Sequence, residues 1–248
     1  MWSGVWDVRH FDEIDSTNTH LRREARRDAP EGTVAVAEHQ TAGRGRMDRR
    51  WEAPPGASLL LSVLFRPTFD PADLHLCTAA MALSAAAACR RMAGVDPVLK
   101  WPNDVLVGEA KLAGVLAEAE FEGAEPARCA VVVGIGLNVD WPGPPGVGGT
   151  CLAELSPTPV DRPALLSALL EELSARRALL DSPDGRREVA AEMRDRCATL
   201  GRQVQVALAS ETVAGWAEEI DDAGHLVVRT PSGLRTISAG DVVHLRPG

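Results

Sequence analysis

The sequence predicts an α+β chain in two parts, residues 1–200 and 201–248. Three observations lead there. Residues 1–200 mix short apolar runs of strand length with longer segments of helical period. Residues 201–248 alternate apolar and polar positions between closely spaced turn signals, which fits about five short strands of a small β-barrel. The length of 248 residues suits a large domain with a small companion, at roughly 100–200 residues per domain.

The elements follow in order. The first helical period begins after Ser16-Thr17-Asn18, with Ser16 or Thr17 as N-cap, and stops near Asp28-Ala29-Pro30. Residues 34–38 read as a buried strand that runs into a loop, residues 40–51, crowded with Gly and Arg. A strand is predicted over 58–65 and an Ala-rich buried helix over 76–92. Two short strands, 98–100 and 105–107, flank Trp101-Pro102-Asn103-Asp104. The period is ambiguous over 112–120, which fits a strand or a short helix. Residues 130–139 form an apolar strand broken by Gly134 and Gly136, and a Pro/Gly loop follows over 141–149. Helices are predicted over 162–180 and 185–200. The last five strands are 204–208, 212–220, 226–230, 235–238 and 242–245.

Composition narrows the function. Hydrophobic residues make up 45% and charged residues 25%, an ordinary globular balance that excludes a disordered or disulfide-framed chain. No apolar run approaches the roughly 20 residues of a membrane span, and residues 1–7 lack the pattern of a secretory leader. Five scattered cysteines without a CxxC pair point to free thiols in a reducing cytoplasm, not to zinc. A net charge of −9 argues against nucleic acid as partner. The six His residues show no HExxH pattern, and no GxSxG elbow is present.

The basic residues divide unevenly into 24 Arg and 2 Lys. A GC-rich genome explains the arginines but not why Lys100 and Lys111 stand close together. An ammonium is a compact point charge that Arg does not copy in a tight site. Three segments carry candidate chemistry. In the first, Gly43-Arg44-Gly45-Arg46 with Arg49 and Arg50 combines close backbone approach with guanidinium forks for phosphate or carboxylate. It fits neither the P-loop nor the dinucleotide template, and a solvated basic loop has the same composition. In the second, Lys100-Trp101-Pro102-Asn103-Asp104 with Lys111-Leu112-Ala113-Gly114 places ammonium, amide and carboxylate around a rigid turn, or makes a hairpin with two surface lysines. In the third, Gly134-Ile135-Gly136-Leu137-Asn138 marks a bulge or a close backbone approach within a strand. Trp101 reads as core.

Taken together, Asp15-Ser16-Thr17-Asn18, Gln40-Thr41-Ala42-Gly43-Arg44-Gly45-Arg46 and these later segments resemble the biotin protein ligase family, in order and spacing. The tail is similar to the family's small C-terminal domain, through Gly215-Trp216-Ala217-Glu218-Glu219-Ile220-Asp221 and Ala239-Gly240-Asp241-Val242-Val243. The resemblance implies a mixed β-sheet flanked by helices, related to class II aminoacyl-tRNA synthetases, followed by an SH3-like barrel. It implies two half-reactions. Biotin and Mg-ATP give biotinyl-5′-AMP and pyrophosphate. A lysine of a biotin carboxyl carrier domain, from an acetyl- or acyl-CoA carboxylase, then takes the biotin and releases AMP.

The same resemblance assigns residues. Lys111, Arg44 and Arg46 would neutralise the two anions that must meet, and Asp104 would orient or deprotonate the acceptor lysine. Ser16, Thr17, Asn18, Gln40, Gly43, Gly45, Gly114 and Gly136 would join them around biotin. Trp51, Lys100, Asn103 and Asn138, with Arg46, would serve the nucleotide, and Trp51 would cover adenine or shut the loop. No side-chain cluster for a metal is expected, since magnesium arrives with ATP. Asp48 stands where the family often has Gly, which would alter loop closure or add a contact to Arg49. Only fourteen residues precede Asp15, too few for the operator-binding domain of some members, so a ligase without repressor function is expected. A homodimer through an exposed sheet edge is compatible with the fold. The rivals are a lipoate or octanoate ligase or transferase on the same fold, and a biotin-binding regulatory module without turnover.

Overall fold

The computed structural model describes residues 6–121, 129–208 and 210–245. Most of the segment read for a leader, residues 1–5, lies outside the described residues. The chain runs β1 (Asp7–Ile14), α1 (Thr17–Ala25), β2 (Thr33–Gln40), β3 (Ser58–Phe65), α2 (His75–Ala93), β4 (Val98–Lys100), β5 (Asp104–Val107), β6 (Ala110–Phe121) and β7 (Cys129–Asn138). It continues through α3 (Leu152–Leu155), α4 (Arg162–Leu179) and α5 (Pro183–Asp195). Last come β8 (Gln203–Ala207), β9 (Thr212–Ile220), β10 (Leu226–Thr230), β11 (Gly233–Ile237) and β12 (Asp241–His244).

The first seven strands form one mixed sheet, ordered β1-β2-β3-β7-β6-β5-β4, in which β1 and β2 are parallel and the other pairs antiparallel. Helix α2 packs on one face with α4 and α5. By composition Pro71–Ala93 is apolar enough to cross a membrane, which the sequence reading did not register. Here it is a core helix: Leu76, Met81, Leu83, Ala85 and Cys89 are all buried. On the opposite face α1 covers one end of the sheet, where Leu21 and Ala25 meet Ala35, Leu64, Ala130 and Val132. Alternation carries that face along β7 from Gly134, which lies under Asn18 of α1, to Gly136 and Asn138. The remaining strands form an antiparallel sheet, β11-β10-β9-β8-β12.

Local chemistry sets the boundaries. Ser16 caps α1, accepting from the Thr19 amide, and Asp161 and Ser182 cap α4 and α5 with Pro in the first turn. Helix α5 ends at Asp195, short of the predicted 200, because the following residues pair with β4: the Leu99 amide donates to the Arg196 carbonyl and the Ala198 amide to the Leu99 carbonyl. Residues 112–120 resolve as part of a strand, laddered to both β5 and β7. Strand β1 was not predicted. It is an edge strand whose charged and half-exposed positions leave a weak apolar period.

Candidate active site

The site is a cavity of about 830 Å³ on the α1 face of the sheet, bounded by the arginine loop, the 142–149 loop and the C-terminal sheet. Every residue assigned above lines it except Gly43.

Its floor is set by the N-terminal turn of α1. The Thr17 amide and hydroxyl both donate to Gln40 Oε1, at 2.8 and 3.1 Å. Ser62, fully buried on β3, lies 2.7 Å from Thr17 Oγ1 and 2.6 Å from Asn18 Oδ1. Asn18 Nδ2 donates to the Leu116 carbonyl and to Glu118 Oε2, at 3.2 and 3.0 Å. The Asn18 amide is therefore engaged within the protein at both ends, at the edge of the cavity that it lines. Gly134 is required beneath it, because a Cβ there would sit 2.1 Å from Asn18 Oδ1.

The arginine loop is a hairpin. Arg44 bridges Arg50, the Gly45 amide donates to the Arg49 carbonyl at 2.7 Å, and the Trp51 amide to the Gly43 carbonyl at 3.1 Å. At its tip Met47 (φ 52°) and Asp48 (φ 56°) are both left-handed, the conformation of a tight primed turn. Glycine tolerates that backbone best, which gives the family preference at position 48 a physical reason. Gly43 closes the hairpin base: a Cβ there would lie 2.2 Å from the Trp51 carbonyl. Its part is thus to shape the loop, not to line the cavity. The arginines point to two sides. Arg44 Nη1 pairs with Glu118 Oε1 at 2.9 Å. Arg46 donates to Asn103 Oδ1 and to the Gly240 carbonyl, both at 2.9 Å, and Arg49 pairs with Asp241. The contact anticipated between Asp48 and Arg49 is replaced by this pairing with Asp241.

The second motif sits across the cavity. Lys111 Nζ lies 2.6 Å from Asp104 Oδ1, on neighbouring strands whose ladder shifts register beside them. The Trp51 indole rests on the backbone of Gly136 and Gly114, where added Cβ atoms would come within 2.3 and 3.1 Å of the ring. Those glycines were expected to admit biotin to the backbone; in this structure they admit Trp51. Lys111 Nζ is 5.6 Å from the indole centroid, and buried Trp51 Nε1 has no hydrogen-bond partner. Trp101 is core as predicted, 3% exposed with Nε1 donating to the Gly224 carbonyl. Asn103 exchanges hydrogen bonds with the Val115 backbone. Asn138 Nδ2 donates to the carbonyls of Pro142 and Thr150, which pins the 142–149 loop at the cavity that Asn138 lines.

Sequence reasoning missed the contribution of the C-terminal sheet. Lys100 shares its end of the cavity with Arg202, Asp241 and His244. His244 Nδ1 lies 3.5 Å from Arg202 Nη1 and Nε2 lies 3.1 Å from Thr199 Oγ1, an arrangement for a neutral ring. Burial, then Lys100 and Arg202, pull its pKa down to about 4. The Ala239-Gly240-Asp241 motif was the only signal in the sequence for this contact. Ser62 and Glu118 were missed as well, being single polar residues within apolar strands. Among the described residues no group of three His, Cys, Asp or Glu side chains is placed to hold a metal ion.

Comparison with known proteins gives the arrangement a lineage. Residues 10–138 match the model of the biotin/lipoate A/B protein ligase family, and residues 199–245 match that of the biotin protein ligase C-terminal domain. A biotin–[acetyl-CoA-carboxylase] ligase of Mycobacterium tuberculosis is 40% identical, over 94% of this chain and 87% of its own. The bifunctional ligase/repressor BirA of Bacillus spizizenii is 30% identical over 93% of this chain and 72% of its own. A biotin protein ligase from Aquifex aeolicus, solved with biotin and ATP, superimposes with a TM-score of 0.82 at 27% identity, covering 97% of this chain and 99% of that one. The cavity, the arginine loop above it and the C-terminal sheet that closes it are therefore those of a member of the biotin protein ligase family.

Proposed function

We propose that the protein activates biotin with Mg-ATP and transfers it to a lysine of a biotin carboxyl carrier domain. The observation that carries this reading is the convergence on one cavity of Lys111, Arg44 and Arg46 from elements that are distant in sequence. A carboxylate and an α-phosphate repel as they approach, so fixed cations favour their transition state. Related ligases solved or named with biotin, ATP and acetyl-CoA carboxylase support the substrate class.

In the first step a biotin carboxylate oxygen attacks the α-phosphorus and pyrophosphate leaves. Lys111 turns from Asp104 toward the forming bond, with Arg44 and Arg46 above it. Ser16, Thr17 and Gln40 offer hydrogen bonds to the biotin head. Lys100, Asn103 and the adjoining Arg202 serve the nucleotide, with magnesium carried in by ATP. Trp51 leaves the glycine floor and covers the bound nucleotide. In the second step the acceptor amine attacks the acyl carbon, an amide forms and AMP departs with the bonding pair. Asp104, released from Lys111, orients the amine and takes its proton. The arginine loop shields the mixed anhydride from water in between.

All five cysteines are buried and unpaired, which supports a reducing, cytoplasmic setting. The β4 edge is met by a bridge from Cys197 to Leu99, which leaves β1 as the sheet edge for a homodimer. The test is mass spectrometry of an acetyl-CoA carboxylase carrier domain incubated with protein, biotin and Mg-ATP. One biotin on a single lysine supports the reading. Modification with lipoate instead would move the chain to lipoate chemistry, and biotin binding without transfer would make it a regulatory module.

A further inference from the structure

Glu118 has no part in these steps, yet it is the most heavily engaged carboxylate beside the cavity. Its side chain is 15% exposed on β6, and three side chains from two other segments converge on it. Arg22 Nη1 donates to Oε1 at 2.8 Å, and Asn18 Nδ2 to Oε2 at 3.0 Å, both from α1. Arg44 Nη1 from the loop lies 2.9 Å from Oε1 and 3.2 Å from Oε2. We propose that Glu118 is a positioning residue for biotin activation, fixing Arg44 over the biotin end of the cavity with its remaining donors turned to the substrate. This rests on the biotin-activating reading of the same site.

Three features carry the proposal. First, the anchor exists without its guest. Charges alternate along Arg44, Glu118, Arg22, Glu120 and Arg26, and Arg22 and Asn18 still satisfy Glu118 when Arg44 swings away. An isolated pair at the surface would contribute little, but a carboxylate held by two other donors is a fixed point. Second, the loop has opposed attachments. Arg46 and Arg49 engage the Gly240-Asp241 corner of the C-terminal sheet, Arg46 with a further bond to Asn103 in the β4–β5 turn, while Arg44 ties the loop to β6 beside α1 through Glu118. Third, only Nη1 of the Arg44 guanidinium is engaged in these contacts, which leaves Nη2 and Nε for an incoming carboxylate. Asn18 also extends the anchor to the floor, through Ser62 to Thr17. Closing the loop and seating biotin thus share one hydrogen-bonded network.

The test is a double-mutant cycle of Glu118→Gln and Arg44→Gln, read by steady-state pyrophosphate release and by carrier modification. Glu118→Gln is expected to raise the KM for biotin about tenfold, with the KM for ATP unchanged within about twofold. Pyrophosphate released per carrier lysine modified should rise above one as adenylate escapes the looser loop. The double variant should be no worse than Arg44→Gln alone, because both changes remove one device. Glu118→Asp should recover part of the biotin KM. Arg22→Gln is the structural control, disturbing the same carboxylate without touching Arg44. Multiplied effects in the double variant, an unchanged biotin KM in Glu118→Gln, or an equal defect in Arg22→Gln would each overturn the assignment. Should the unaltered protein release no pyrophosphate, the activation reading fails by itself. The cycle is then read by calorimetry with biotin alone, where weaker binding in Glu118→Gln without further loss in the double variant upholds Glu118, and unchanged binding overturns it.

Discussion

The floor of the cavity and its rim are built by opposite means. On the floor, Ser16, Thr17 and Asn18 are buried, and the polar groups of Thr17 and Asn18 are satisfied within α1, β2, β3 and β6. On the rim, Met47, Val147 and Val243 are 63%, 61% and 54% exposed, and they come from two loops and a strand of the other sheet. The floor is a shape held by its own hydrogen bonds. The rim is a set of apolar and basic tips with room to close. On the proposed reading, recognition would rest on the hydrogen-bonded elements of the floor and coverage of the reactive centre on the exposed loops of the rim.

The largest expected effect lies where the two regions meet. Lys111→Arg should lower biotin-dependent pyrophosphate release by on the order of a hundredfold, since a planar guanidinium cannot take the ammonium's place against Asp104. Arg49→Lys, on the rim, should stay within about threefold, because its partner Asp241 accepts either cation. Similar losses in both variants would erase the distinction. Next, Gly134→Ala drives a methyl into the Asn18 amide and should cost about 2 kcal/mol in urea unfolding while weakening biotin binding. A neutral result would mean that the floor is not rigid.

The rim responds to pH. The His244 pKa falls to about 4 in the folded protein, through burial first and then the cations Lys100 and Arg202. Its unfolded value is about 6.5, so between the two the unfolded chain binds the extra proton. Stability is full above about pH 6.5 and declines as pH drops toward 4. Thermal melts should show this slope, and His244→Asn should reduce it, leaving the part that His75 and His20, whose pKa values burial also lowers, contribute. The smallest effect is expected at the loop tip. Asp48→Gly relieves a left-handed backbone and should leave the melting temperature the same or slightly higher, by less than about 1 kcal/mol of stability. A clear loss would show that the Asp48 side chain holds the loop.

Much of this was legible in the sequence, and the unreadable parts share a cause. Strands β3, β9 and β10 fall where apolar runs and turn signals put them, because burial writes a strong local period. The motifs around Gln40, Lys111 and Gly136 could be read in order because their chemistry lies in contiguous residues. Strand β1 was hidden because an edge strand needs few apolar positions. Trp51 on Gly136 was hidden because the contact joins residues far apart in the chain, and glycine does not say what it makes room for. Arg202, Asp241 and His244 were hidden because they become part of the site only when one sheet docks on the other. Glu118 carried no motif; its meaning comes from the guanidinium that finds it.

The most direct measurement is pyrophosphate release from Mg-ATP in the presence of biotin, with lipoate and no-acid reactions beside it. The account predicts release with biotin and background levels in both controls. Biotin binding without release would contradict it, and the roles given to Lys111, Arg44 and Arg46 would fall together.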